Sequence, residues 1–191
     1  MAPRVWTVPN QITFLRLGFI PLFIILIDYE RYGWALAVLI VAGLTDGIDG
    51  LLARWLNQKS PLGAILDPIA DKLLLSSSFF ILALKGKIHW WLTILVLSRD
   101  LLLLITAAVI ILVAGYRPFP PSVYGKWTTT VQIFLVFGVA LAATVQQPWL
   151  AQVNRTLTII VAALTVFSGF HYGVINARRL SSSPAGHSSD S

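Results

Sequence analysis

Thr45-Asp46-Gly47-Ile48-Asp49-Gly50-Leu51-Leu52-Ala53-Arg54, then eight residues, then Gly63-Ala64-Ile65-Leu66-Asp67-Pro68-Ile69-Ala70-Asp71-Lys72: on this stretch the reading of the whole chain turns. The chain carries 8 acidic residues, and four of them (Asp46, Asp49, Asp67 and Asp71) lie here among apolar neighbours. A carboxylate in an apolar helix is costly, so it reads as functional by default. Asp46 and Asp49 are three apart and Asp67 and Asp71 four apart, so each pair shares a helix face. A short loop joins the two helices, which must run antiparallel, and near that loop their facing carboxylates converge. Four unpaired carboxylates so placed would repel one another and several would protonate. A bound cation resolves this, and all-oxygen ligands without His or Cys select a hard ion, magnesium, manganese or calcium. Four carboxylates are enough to bridge two ions.

Around this stretch the sequence is that of a membrane bundle. Of 191 residues, 57% are hydrophobic and 12% charged, and the mean hydropathy is +0.78. A soluble domain carries about 25% charged residues. Long, continuously apolar runs favour helices over the alternating strands of a barrel. The expected fold is an all-α membrane protein of six transmembrane helices, preceded by a short N-terminal interfacial segment (residues 1–10) anchored by Trp6. The expected spans are Gln11–Ile27, Trp34–Trp55, Leu62–Leu84, His89–Ala114, Lys126–Val145 and Leu150–Ile175. Residues 1–180 form one membrane domain, and 181–191 a disordered polar tail. With six spans both termini share a side with Arg4, Arg54, Lys59, Arg117, Lys126, Arg178 and Arg179, while Arg31, Lys85, Lys87 and Arg155 fall opposite. The richer side is expected to be cytoplasmic, which puts a multi-pass protein in the cell membrane with its acidic site facing the cytoplasm. The net charge of +6 suits an anionic bilayer surface, and scattered basic residues argue against nucleic acid. With no cysteine, neither a disulfide nor a thiolate site can form. No cleavable signal is expected from the first ten residues.

Two further features belong to the argument. Gly47, Gly50, Ala53 and Gly63 thin the helices beside the acids, which admits a ligand close to backbone or, alternatively, simply packs helices. Arg54 suits a phosphate. Arg16, in the first span, either snorkels to the interface or faces the polar site, and Arg99-Asp100 forms a second charged pair in mid-span.

The pattern Asp46-x-x-Asp49-Gly50-x-x-Ala53-Arg54-(eight residues)-Gly63-x-x-x-Asp67-x-x-x-Asp71 resembles the signature of the CDP-alcohol phosphatidyltransferase family, with every fixed position present. Pro9-Asn10-x-x-Thr13-x-x-Arg16, Pro21, Asn57-Gln58, Asp67-Pro68-x-Ala70-Asp71-Lys72 and Lys126-x-x-Thr129-x-x-Gln132 are similar to its phosphatidylglycerophosphate synthase and cardiolipin synthase branches. The resemblance implies a six-helix, usually dimeric enzyme using two divalent cations, magnesium or manganese. It implies CDP-diacylglycerol as donor, an alcohol as acceptor and CMP as leaving group. It implies Asp46, Asp49 and Asp67 as metal ligands, and Asp71 as the general base that also touches the second metal. Gly50, Ala53, Arg54 and Gly63 would line the CDP site.

Glycerol 3-phosphate stands first among the expected acceptors, as the commoner one for this layout, with Arg99, Lys126, Arg117 and Lys59 as candidate contacts and Lys72 placed to orient a carboxylate. Phosphatidylglycerol is the alternative, because Ser98-Arg99-Asp100 and His171-Tyr172-Gly173 look more like the cardiolipin synthase branch. Two rival classes are a cation or proton transporter, since intramembrane acids also line ion paths, and a non-catalytic assembly protein. Arg54 with the glycine stripe argues against the first, and the four intact acids against the second.

Overall fold

The computed structural model describes the backbone of residues 8–55, 61–114 and 123–181, and side chains within 14–45, 69–106 and 125–170. Among these there are six α-helices and no strand: α1 (Val8–Asp28), α2 (Tyr32–Trp55), α3 (Pro61–Leu84), α4 (Trp90–Ala114), α5 (Val123–Val145) and α6 (Pro148–Ser181). Five lie within a few residues of the expected spans. α6 runs six residues past its expected end at Ile175, because Ala177-Arg178-Arg179-Leu180 is built of strong helix formers. The N-terminal segment up to residue 7 and the tail from residue 182 lie outside the described residues.

Short turns close the end of the bundle formed by α1–α2, α3–α4 and α5–α6. Each carries a residue with positive φ just past a helix: Glu30 (59°), Gly86 (66°) and Gln146 (55°). At Gly86 the last carbonyls are taken by Gly86 N–H to Ala83 O (2.9 Å) and Lys87 N–H to Leu82 O (2.8 Å), a glycine-capped helix end. Here too the Lys85 ammonium bonds both the Asp28 carboxylate (2.8 Å) and the Asp28 carbonyl (2.8 Å). The hydrogen bond to Asp28 raises the Lys85 pKa.

α1 packs on α2 and α3, α5 on α6 and α2, and α4 on α6 and α3. Each inward stripe follows helical spacing, as with Leu92, Val96 and Arg99 on α4, or Thr128, Gln132, Leu135 and Val139 on α5. Along the bundle axis these stripes change character. Toward the short-turn end they are apolar: Phe23, Ile27, Phe79, Leu82, Leu92, Leu135, Val136 and Val161 make the core. Toward the other end, the end of the acidic stretch, lie most of the buried polar positions, Arg16, Arg99, Asp100, Thr128, Gln132, Thr165 and Ser168, beside the small Ala42 and Ala70. One half of the interior is therefore oily and the other polar.

The outward faces reverse the soluble pattern. Leu101, Leu102, Ile133, Phe134, Ile159, Phe167 and Phe170 are all more than half exposed, far more apolar surface than water tolerates in one patch. Among the described residues, Gly125–Val145 and Pro148–Phe170 are each long and apolar enough to cross a membrane.

On α5, Gly138 lets α6 approach closely. The Asn154 side-chain amide donates to the Gly138 carbonyl (3.0 Å), and a β-carbon at Gly138 would sit 2.5 Å from Asn154 Oδ1.

Candidate active site

The polar half of the interior is built by neighbouring residues that point different ways. On α3, consecutive residues are turned by about 100° around the helix, so Asp71 and Lys72 reach separate partners. Asp71 Oδ1 accepts from Arg16 Nη1 of α1. Lys72 Nζ donates to Asp100 Oδ1 of α4 at 2.6 Å. The same Asp100 oxygen accepts from Arg99 Nη1 at 2.8 Å, and Arg99 Nη2 continues to Ser168 Oγ of α6 at 2.8 Å. Charged and polar groups thus tie four helices together around the inner end of the acidic stretch.

Burial differs across these groups. The Arg16 side chain is 2% exposed while its partner Asp71 is 49% exposed. A buried guanidinium therefore presents a carboxylate to the outside, oriented and charge-compensated. Of the two readings of Arg16, the structure selects the inward one. The Arg99 and Asp100 side chains are 5% and 4% exposed; the pair is sealed inside, with Lys72, 21% exposed, at its edge. Two cations share one carboxylate oxygen, so this group keeps an excess positive charge. Among the described residues Asp100 Oδ2, Arg99 Nε and both amide atoms of Gln132 are buried without a hydrogen-bond partner. Buried polar atoms are rarely left so.

The remaining expected site residues are placed as follows. Asp46, Asp49, Gly50, Ala53 and Arg54 lie on α2, and Gly63 and Asp67 on α3, with side chains outside the described residues. Lys126 is exposed in the first turn of α5, while Lys59 and Arg117 lie outside the described residues. Among the described residues no three His, Cys, Asp or Glu side chains gather as a metal cluster, and of the four acids only Asp71 has its side chain described. Lys72, expected to orient a carboxylate, does so on Asp100. Ser168 is a partner the sequence reading missed. The signal available was Arg99 itself: a guanidinium in mid-helix requires more acceptors than the adjacent Asp100 supplies.

Residues 6–170 match the sequence pattern of the family described as CDP-alcohol phosphatidyltransferase. The chain belongs to this family. Among individual relatives of this chain, human "Cardiolipin synthase (CMP-forming)" is 36% identical over 191 residues, covering 88% of the chain and 62% of the human protein. The Streptomyces coelicolor protein of the same name is 39% identical over 132 residues, covering 66% of the chain and 61% of that protein. A Mycobacterium tuberculosis protein named "Probable phosphatidylglycerophosphate synthase" is 32% identical over 180 residues, covering 88% of the chain and 81% of that protein. The chain spans about three fifths of the length of the two cardiolipin synthases.

Proposed function

We propose that this protein is a multi-pass membrane enzyme of phospholipid biosynthesis that transfers a phosphatidyl group from CDP-diacylglycerol to an alcohol and releases CMP. The observation that carries the reading is the half-exposed Asp71 carboxylate, presented by a buried arginine at the inner end of a complete family signature. The other acids fit it by register. Asp49 lies six residues before the end of α2 and Asp67 six after the start of α3, while Asp46 and Asp71 lie nine and ten residues from those same ends. At 1.5 Å per residue the two levels are about 9 Å and about 14 Å from the connecting loop. Antiparallel helices joined by residues 56–60 would thus carry two tiers of two carboxylates.

That all-oxygen donor set fits two divalent cations, magnesium or manganese, held by Asp46, Asp49, Asp67 and Asp71. When bound they would supply charge compensation for the donor pyrophosphate. The chain's own residues do the rest. Gly50, Ala53 and Gly63 let the nucleotide lie close to backbone, and Arg54 binds its phosphate. Asp71 takes the proton of the acceptor hydroxyl as its oxygen forms a bond to the phosphorus bearing the lipid and the bond from that phosphorus to CMP breaks. Arg16 holds Asp71 in line for this. The six helices span the membrane, with residues 1–180 as one domain, the site toward the cytoplasm, and a homodimer as the working assembly. A cation path has no use for Arg54 or for an arginine clamp on one acid, which argues against the transporter.

For the acceptor, two observations favour phosphatidylglycerol, the alternative to glycerol 3-phosphate in the sequence reading. Arg99, the leading candidate for a soluble phosphate, is sealed inside and bonded to Asp100 and Ser168. Two of the three relatives described above carry the name cardiolipin synthase. Glycerol 3-phosphate is the second reading, favoured by exposed Lys126 and by the mycobacterial relative. The deciding assay gives purified protein CDP-diacylglycerol and magnesium with either acceptor, measures CMP, and resolves the lipid products by mass. Cation uptake by vesicles without CMP release would overturn the enzyme reading.

A further inference from the structure

At the short-turn end, opposite the acidic stretch, a cavity of about 520 Å³ opens between the α3–α4 turn, the end of α5 and the first turns of α6. Its size falls in the usual range for ligand sites, about 300–1,000 Å³. Its lining combines basic and polar residues (Lys87, His89, Arg155 and Thr158) with small apolar ones (Val139, Ala142 and Ala151). Asn154, in the same lining, is held by its bond to the Gly138 carbonyl (3.0 Å).

Charge at this end is uneven. Lys85 is satisfied by Asp28 at 2.8 Å, and Glu30 lies near enough to act on Lys85 and Tyr32. These are the acids of this face among the described residues, and both cluster on the α1–α2 side. Lys87 has only the Tyr32 ring, 5.3 Å from its ammonium. Neither Lys87 nor Arg155 has an acidic partner among the described residues. The starts of α4 and α6, which contribute His89 and Ala151 to the lining, add the positive ends of two helix dipoles. The ends of α3 and α5 lie at the same end of the bundle and oppose them, so the excess positive charge here rests on Lys87 and Arg155.

We propose that this cavity binds the phosphodiester headgroup of an anionic glycerophospholipid, with Lys87 and Arg155 on the phosphate and the first methylenes over Val139, Ala142 and Ala151. A free phosphate uses the basic residues alone; a lipid uses the basic and the apolar lining together, and the apolar residues select the lipid. The site is separate from the acidic stretch and does not depend on the reaction proposed above.

Native mass spectrometry of the full chain, released from nanodiscs of phosphatidylcholine containing a minor share of phosphatidylserine, tests this. One phosphatidylserine is expected to remain on each chain in preference to phosphatidylcholine. At roughly a factor of five per basic residue, Lys87→Gln with Arg155→Gln is expected to weaken retention about 30-fold. Lys87→Arg with Arg155→Lys keeps the charge and should keep the lipid, which guards against misfolding as the cause. Asp71→Asn should leave retention unchanged. Equal retention of both lipids, survival of the preference in the double Gln variant, or loss of the lipid in Asp71→Asn would overturn the proposal. So would displacement of the lipid by millimolar inorganic phosphate, which would assign the cavity to a free anion.

Discussion

Asp100→Asn is the sharpest single perturbation this structure offers. The change keeps size and shape and removes one charge. It acts on a carboxylate 4% exposed whose Oδ1 carries Lys72 at 2.6 Å and Arg99 at 2.8 Å. Removing one partner from a buried ion pair costs about 3–5 kcal/mol, because the other charge stays buried. Arg99 retains Ser168 at 2.8 Å, and Lys72 is partly exposed, so its share is about 1 kcal/mol at most. The expected loss is about 3 kcal/mol, nearly all of it through Arg99. For a chain of this length that is a fall in Tm of about 6–12 °C, read by circular dichroism in detergent at fixed scan rate. Lys72→Met alone should lower Tm by no more than about 4 °C. Arg99→Met combined with Asp100→Leu should be milder than Asp100→Asn, since it leaves no sealed charge without a partner, only the partly exposed Lys72. If Asp100→Asn melts within about 2 °C of the parent, or the apolar double variant is the worse of the two, the account of Asp100 as the anchor of a sealed cation is wrong.

Three other outcomes are expected. Gly138→Ala should cost about 1–3 kcal/mol in denaturant melts, because its β-carbon would meet Asn154 Oδ1 at 2.5 Å; adding Asn154→Ala should recover part of the loss. Asp71→Asn should abolish CMP release while leaving binding of a CDP-lipid largely intact, whereas Asp46→Asn should raise the magnesium concentration needed for any release. Isothermal titration of each variant separates the two effects. Lys85, whose pKa is raised by its bond to Asp28, contributes stability that is complete below its unfolded value and fades as pH climbs through the raised folded one. Lys85→Met should therefore differ from the parent at neutral pH and converge with it in strong alkali, as followed by urea melts across that range.

The helices were readable because apolar runs of span length end at recognisable turns, such as Lys85-Gly86-Lys87 and Gln146-Gln147-Pro148. The family was readable because the spacing of four acids, two glycines and an arginine is seldom met by accident. What sequence could not settle was direction. Arg16 sits in mid-helix, where snorkelling and inward pairing leave the same local pattern, and only Asp71, 55 residues on, distinguishes them. Arg99 called for a further acceptor, but Ser168 could not be singled out as that acceptor for a related reason: a hydroxyl in an apolar helix commonly bonds its own backbone, as Thr158 does to the Asn154 carbonyl (2.8 Å), and nothing local says that it instead caps an arginine. The division of the interior into oily and polar halves needed all six helices aligned at once.

The contact between Arg16 and Asp71 also sets a schedule for biogenesis. In the six-span reading, Arg16 enters the bilayer at the middle of the first helix, where an arginine disfavours insertion by about 2.5–3.5 kcal/mol. Its counter-ion is 55 residues downstream and, at about 5–20 residues per second, is translated roughly 3–11 seconds later. Until then the first helix has reason to linger beside the translocon instead of dispersing into lipid. A ribosome stalled between the first and third helices should accordingly leave α1 extractable, and release of α1 should await the arrival of Asp71.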